Sequence, residues 1–288
     1  MSDDPFVTHR RLLFTVAYEM LGSAADAEDV VQETWLRWVD VDHAEVRDPR
    51  AYLVRIVTRQ ALNRLRTMAR RREEYVGQWL PEPLLTSPDV AADIEFAESV
   101  SMAMLTVLET LGHTERAVFV LREIFDMPYD EIAEAVDKEP ATVRQIAHRA
   151  RAHVAARRPR MQISLAEQRA VVERFMAALQ TGNVQGLLDV LAPDVVAVAD
   201  GGGLVAAAKR PIEGAEKVAR LLATLAGNAP GARFETVWLN GAPAARIEFE
   251  GTVAAISVAV EDGRVTRIYA MANPHKLTRL DAEAELSR

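Results

Sequence analysis

The 288-residue chain is 49% hydrophobic and 26% charged, ordinary values for a folded protein of about two domains, so disordered and low-complexity architectures are excluded. It contains no cysteine, which excludes a disulfide framework, a thiolate metal site and a cysteine nucleophile. The net charge of −8 argues against a nucleic-acid binder if taken whole, but the charge is sorted by position.

Residues 1–43 carry Asp3, Asp4, Glu19, Asp26, Glu28, Asp29, Glu33, Asp40 and Asp42 against only Arg10, Arg11 and Arg37. Residues 47–72 reverse the sign, with arginines at 47, 50, 55, 59, 64, 66, 70, 71 and 72 against Asp48 alone. Residues 73–100 are acidic and contain Pro81, Pro83 and Pro88, and residues 141–160 are basic with no acid. Alternating blocks of this kind mark surfaces for different partners. The acidic N-terminus lacks the basic-then-apolar order of a signal peptide, and no apolar run approaches the roughly 20 residues of a membrane helix. The expectation is a soluble cytoplasmic protein.

In chain order, residues 6–21 read as an amphipathic helix stopped by Gly22, and Ser23 caps a second helix that begins near Ala24. This acidic helix carries Asp26, Asp29, Gln32 and Glu33 beside Trp35 and Trp38. Trp is enriched at binding hot spots, and acidic surface suits a partner with a basic or mixed face; two core tryptophans are the plainer alternative. Asp48-Pro49 opens a third helix, Pro being tolerated in a first turn. Its arginines, with Thr58, Gln60, Asn63 and Thr67 among them, suit phosphates and single-stranded bases, and Tyr52 offers a ring to stack on. A solvated, salt-bridged face is the alternative. The three prolines make residues 78–89 a linker.

Helices resume near Asp93 and continue to Arg158. Within them, Tyr129–Val136 and residues 141–155 form a helix-turn-helix around Asp137-Lys138-Glu139-Pro140. Val143, Ile146, Ala147, Ala150 and Val154 give the second helix an inner face. Its outer face carries Thr142, Arg144, Gln145, His148, Arg149 and Arg151, residue types that read base edges or neutralise phosphates in a major groove.

The second half changes character. Residues 165–180 read as a helix capped by Ser164, Gly182 ends it, and a short helix follows over 183–191. Strands come next: 194–200, 232–240, 244–251, 252–260 and 264–272, the last two joined by the hairpin signal Glu261-Asp262-Gly263. Helices followed by antiparallel strands read as an α+β domain.

The stretches DAEDVVQETWLRWV, DPRAYLVRIVTRQALNRLRTMARRR and residues 105–157 resemble, in this order, the conserved regions of the extracytoplasmic-function sigma factors of bacterial RNA polymerase. The resemblance implies that Asp26, Asp29, Gln32, Glu33, Trp35 and Trp38 grip core polymerase. It implies that Arg55, Arg59, Asn63, Arg64, Arg66, Arg70 and Arg71 open the promoter and read the melted −10 element. It assigns the duplex −35 element to Thr142, Arg144, Gln145, His148, Arg149 and Arg151.

Residues 165–277 resemble a SnoaL-like domain, which one subgroup of the family carries fused at its C-terminus. The marks of that subgroup stand here as Trp79-Leu80-Pro81-Glu82-Pro83, Asp200-Gly201-Gly202-Gly203 and Asn273-Pro274-His275-Lys276-Leu277. The implied fold class is multidomain. Two all-α helical sigma domains, the second with the helix-turn-helix, precede an α+β SnoaL-like cone-shaped domain with a curved, mostly antiparallel sheet. The implied division is 1–75 for the first sigma domain, 76–95 for the linker, 96–160 for the second sigma domain and 161–288 for the regulatory domain.

The proline-stiffened linker with its Trp79 anchor is expected to pack on the C-terminal domain, with Lys276-Leu277 latching the tail. Catalysis by this domain is disfavoured: Asp200 is the best-placed acid, the strands offer no His, and their inward positions look aliphatic. A ligand-sensing pocket fits better, its ligand unspecified, and no cofactor, membrane partner or metal site is expected. The leading reading is therefore a sigma factor tuned in cis by its C-terminal domain. A ligand-sensing helix-turn-helix repressor is the first alternative, and a SnoaL-like enzyme fused to a targeting module the second.

Overall fold

The computed structural model describes residues 4–157 and 164–288; the side chains of Arg70 and Arg71 lie outside the described set. The chain divides into two compact units: Met1–Glu73, Met104–Arg158 and Glu285–Arg288 in one, and Glu74–Ala103 with Pro159–Ala284 in the other. Among the described residues no helix is long and apolar enough to cross a membrane.

Helices α1 (Pro5–Leu21), α2 (Ala24–Val39) and α3 (Pro49–Glu73) pack on one another in the first unit. Local chemistry sets their ends. Gly22 is left-handed at φ 66° and closes α1, Ser23 accepts from the Asp26 N–H to cap α2, and Asp48 accepts from the Ala51 N–H at the start of α3. After the linker come α4 (Ile94–Val100), α5 (Met102–Leu108) and α6 (His113–Phe119), the last continued by a π turn over Val120–Ile124. Helices α7 (Tyr129–Val136) and α8 (Pro140–Ala155) complete the expected helix-turn-helix. Asp137 is left-handed at φ 55° and ends α7, and Pro140 begins α8. The buried face of α8 is Val143, Ile146, Ala147, Ala150 and Val154, as the periodicity gives.

The second unit holds α4, α9 (Leu165–Gln180), α10 (Val184–Val190) and α11 (Ala215–Gly227) with a six-stranded sheet. Its strands are β1 (Leu191–Asp200), β2 (Ile212–Glu213), β3 (Arg233–Leu239), β4 (Ala242–Phe249), β5 (Thr252–Glu261) and β6 (Arg264–Met271), in spatial order β2-β1-β6-β5-β4-β3. All neighbours are antiparallel except β1 and β6. The hairpins β3–β4, β4–β5 and β5–β6 turn on Asn240-Gly241, Glu250-Gly251 and Asp262-Gly263, each pair with both φ values positive, the two-residue turn that matches strand twist.

Ile256 and Val258 on β5, Ile268 on β6 and Ala245 on β4 face Val171, Phe175 and Leu187 from the helices in one apolar core. The cone is thus packed with aliphatic side chains, as the inward strand positions suggested. Strand β2 and helix α11 are not among the elements expected from sequence, and β1 starts at Leu191, three residues before the expected Asp194. Helix α11 shows helical spacing in its buried Val218, Ala219 and Leu222. Glycines at 201–203, 214, 227 and 231 surround it with turn signals.

Candidate nucleic-acid and partner interfaces

The outer face of α8 presents Thr142, Arg144, Gln145, His148, Arg149 and Arg151 to solvent. Two of them are also engaged within the unit. Arg151 pairs with Glu123 at 3.0 Å and donates to the Tyr129 hydroxyl at 3.0 Å. The Arg144 and Arg122 guanidiniums lie 5.6 and 5.0 Å from the Tyr129 ring centroid, within cation–π range. Tyr129, at the start of α7, thereby ties the two helices of the motif together.

On α3 the arginines divide. Arg55 donates to the Glu134 carboxylate at 2.9 Å and Arg59 to the Glu134 carbonyl at 2.7 Å, so α3 and α7 touch. Arg64 turns to α2, donating to Asp29 at 2.8 Å and lying 3.4 Å from Asp26 and 3.9 Å from Glu33. Asn63 and Arg66 are exposed and hydrogen-bonded to each other. Tyr52 is half-buried, with Arg55 5.1 Å from its ring centroid and the Trp38 ring 6.0 Å away.

At the end of the same helix, Arg72 pairs with Glu109 and donates to the Leu21 carbonyl. Buried Arg116 joins the cluster by donating to Glu109 at 2.7 Å and to the Glu19 carbonyl at 2.9 Å. Burial lowers the Arg72 pKa from its usual guanidinium value, with Glu109 opposing the shift.

The two tryptophans of α2 part company. Trp38 is 1% exposed, donates to Asp4, and stacks on His43 at 4.1 Å. It is a core residue with no surface left for a partner, which corrects its expected docking role. Trp35 is 37% exposed and leans on Phe6 at 4.9 Å. With Val7, Leu36 and Val39, also exposed, it gives α1 and α2 an apolar surface. Phe6, Val7, Arg10, Val31, Gln32 and Trp35 line a groove of about 270 Å³ there. Gln32 is exposed in this lining, whereas Asp29 and Glu33, exposed on the same helix, turn to Arg64 on α3. Helical spacing could have separated the tryptophans, because Trp38 stands four residues after Thr34 and eight after Val30 on the buried side, whereas Trp35 stands at its edge.

In the second unit the three subgroup motifs meet at one carboxylate. Asp200, at the end of β1, is 0% exposed. Its Oδ1 accepts from the Tyr75 hydroxyl at 2.5 Å and the Gly202 N–H at 3.0 Å. Its Oδ2 accepts from the Leu80 N–H at 2.9 Å and Lys276 Nζ at 2.7 Å. Lys276 Nζ also donates to the Leu80 carbonyl at 2.5 Å and lies 3.3 Å from the Trp79 ring centroid. Asn273 donates to the Tyr75 hydroxyl and accepts from the His275 N–H, bending the chain through Pro274 so that Lys276 faces Asp200. Burial, then the bond to Asp200, raises the Tyr75 pKa far above its ordinary value.

The glycines of the motif are steric. A Cβ at Gly201 would meet the Val205 carbonyl at 2.2 Å, and one at Gly202 the Asn273 amide at 2.4 Å. Leu80, Pro81, Glu82, Pro83 and Leu84 are all buried, so the segment that composition marks as a linker is part of a packed body.

A second anchor, not expected from sequence, lies at the other end of this segment. Asn240, in the β3–β4 turn, accepts from the Leu84 N–H and donates to the Val100 carbonyl, while its own N–H donates to the Leu84 carbonyl. The Gly241 N–H donates to the Thr86 hydroxyl. An Asn-Gly hairpin was the available signal. Replacing Asn240 by alanine is expected to destabilise this unit by about 2–4 kcal/mol. It would strand two buried backbone groups and force alanine into φ 53°. Urea denaturation of the full chain checks this, and slowed exchange retained at the Leu84 amide would refute it.

The chain matches the Sigma-70 region 2 family over residues 6–72, the Sigma-70 region 4 family over 101–154 and the SnoaL-like domain family over 172–273. It is 37% identical to the ECF RNA polymerase sigma factor SigJ of Mycobacterium tuberculosis, over 96% of this chain and 94% of that protein. It is 31% identical to the probable ECF RNA polymerase sigma factor SigI of the same organism, with the same coverage. The crystal structure of M. tuberculosis SigJ superposes with a TM-score of 0.77 at 35% identity, covering 94% of this chain and 96% of that one.

Proposed function

The chain belongs to the extracytoplasmic-function sigma factors, and from that premise we propose that it directs core RNA polymerase to promoters, under control in cis by its SnoaL-like domain. The observation that carries the reading is the order of three surfaces along one chain: an apolar and acidic helix face, an arginine helix, and a helix-turn-helix with an exposed reading face. A repressor needs only the last.

In this reading residues 1–75 form the polymerase-binding and −10 domain, 76–95 the linker, 96–160 the −35 domain and 161–288 the regulatory domain. Trp35 leads core docking, with Asp26, Asp29, Gln32 and Glu33 supplying the acidic and polar surface of the same helix. Arg55, Arg59, Asn63 and Arg66 serve the melted strand, and Thr142, Arg144, Gln145, His148 and Arg149 the duplex. Arg64 positions α2 against α3, and Arg151 positions Tyr129. The protein works in the cytoplasm.

The two promoter elements lie about 25 base pairs apart, roughly 85 Å of duplex at about 3.4 Å per step. The Glu134 contacts hold α3 against α7, so reading both elements at once requires these helices to separate. Polymerase and DNA supply the free energy for that opening. The C-terminal domain is read as regulatory rather than catalytic, because both Asp200 oxygens are already committed to four hydrogen bonds. A general base must have a lone pair for its substrate.

The test is reconstitution of the full chain with bacterial core polymerase on the promoter of its own gene. Promoter-dependent transcripts are expected, and Trp35→Ala is expected to weaken core binding at least about tenfold, as a truncated hot-spot aromatic does. Tight duplex binding without polymerase, together with no core binding, would favour the repressor instead.

A further inference from the structure

Beside α4 lies a crevice of about 70 Å³, lined by Ile94, Ala97, Glu98, Gln168, Ser257 and Ala259 among others. Ser257 forms part of its wall. The neighbouring residues Ile256 and Val258 face the aliphatic core, so strand alternation turns Ser257 to the opposite side of the sheet. The residue is 5% exposed, and its hydroxyl is fully buried with no hydrogen-bond partner among the described residues. A buried hydroxyl left unpaired is unfavourable, and here it lies in the wall of an open crevice.

We infer that this crevice is a binding site for a small neutral molecule with a short alkyl chain and one hydroxyl or carbonyl group. Size, polarity and charge each narrow the class. A volume of about 70 Å³ is several times what one water requires and about half that of a cavity that holds benzene, so it encloses a polar head of about three heavy atoms. The mouth is apolar: Ile94, 73% exposed, and Leu165, 39% exposed, continue the lining outward, which suits an alkyl chain. Among the described residues Glu98 is the one ionisable side chain in the lining, and its negative charge disfavours carboxylates and phosphates. Rotation about its Cα–Cβ bond would turn the Ser257 hydroxyl from beneath the wall to the head group, where it supplies both a donor and an acceptor.

The site stands without the transcription reading, but its consequence rests on it. One wall is α4, whose C-terminal Val100 carbonyl is held by Asn240, and the chain runs from α4 into the region matched to Sigma-70 region 4. An occupant that bridges α4 and β5 therefore stabilises the docked linker by mass action.

The probe is 1-butanol, added to the full chain and followed by saturation-transfer NMR. Saturable binding in the millimolar range is expected, with hydrogen exchange slowed over Ile94–Val100. Ser257→Ala, which keeps the space and removes the hydroxyl, is expected to weaken binding about two- to tenfold, the worth of one hydrogen bond. Ala259→Leu, which fills the crevice, is expected to abolish it, and butyrate is expected to bind far more weakly than butanol. The assignment is overturned if the native chain shows no saturable binding, as when water alone satisfies Ser257. It is equally overturned if Ser257→Ala binds as well as the native chain. Because the readout is binding, a failed transcription assay leaves this result unaffected.

Discussion

Replacing Asp200 by alanine is expected to destabilise the second unit by about 3–5 kcal/mol, the usual consequence of removing one partner of a buried ion pair. The melting transition should fall by about 10 °C. Lys276 would remain in a buried site, retaining the Leu80 carbonyl and the Trp79 ring but losing its carboxylate. The Leu80 and Gly202 N–H groups and the Tyr75 hydroxyl would lose an acceptor at the same time. Hydrogen exchange over residues 75–84 should rise together, because one carboxylate organises them all. The double variant Asp200→Asn, Lys276→Met separates charge from packing. It removes both charges while keeping an acceptor and most of the volume, and it should recover a substantial part of the loss. If Asp200→Ala melts as the native chain does, the carboxylate is not what fastens the linker. If cis control is real, the single variant should also change transcript yield at temperatures where it remains folded, while core affinity stays constant.

The second large effect is expected on α8. Gln145 and Arg149 are exposed and four residues apart, so they share one helical face. The double substitution Gln145→Ala, Arg149→Ala is expected to lower promoter-dependent transcription about 100-fold, at about 1–3 kcal/mol for each lost contact. Binding to core should be unchanged. Salt dependence distinguishes the roles: if Arg149 neutralises a phosphate, the slope of log affinity against log salt should fall by about one, whereas a base contact leaves the slope and relaxes promoter preference. Arg151 is the informative contrast. Its guanidinium is held by Glu123 and Tyr129, so Arg151→Ala should act mainly through the packing of the motif and show itself in thermal stability. Transcription unaffected by the double variant would remove α8 from promoter recognition.

Much of this organisation was legible in the sequence, for identifiable reasons. The ends of α1, α2, α3, α8 and α9 follow from Gly22, Ser23, Asp48-Pro49, Pro140 and Ser164, each a local steric or hydrogen-bonding constraint that no distant residue alters. The face of α8 follows from helical period. Partner choice was less legible. Nothing in the local spacing tells that Arg64 turns to Asp29 while Arg55 reaches Glu134, because those pairs span 35 and 79 residues. Composition marks residues 78–89 as a connection, and up to Ser87 they form no helix, a 3-10 turn starting only at Pro88. What composition could not reveal is that Asp200, Asn240 and Lys276 supply the hydrogen bonds which turn an extended segment into a buried one. Helix α11 is a different case: its apolar spacing and its alanines both favour helix, and only the glycine turns around it suggest a connection.

The reach of the Asp200 and Lys276 contacts also sets a schedule for synthesis. Leu80 and Lys276 are 196 residues apart. At about 5–20 residues per second, a ribosome needs roughly 10–40 s to travel from one to the other. All helices of the two sigma regions leave the exit tunnel before the lysine that completes the fastening exists. Every new molecule thus passes through an interval in which its DNA-reading half is made and its linker is still loose. Slow translation or a stalled ribosome in the last third of the message lengthens that interval, and a message truncated there yields chains that never leave it.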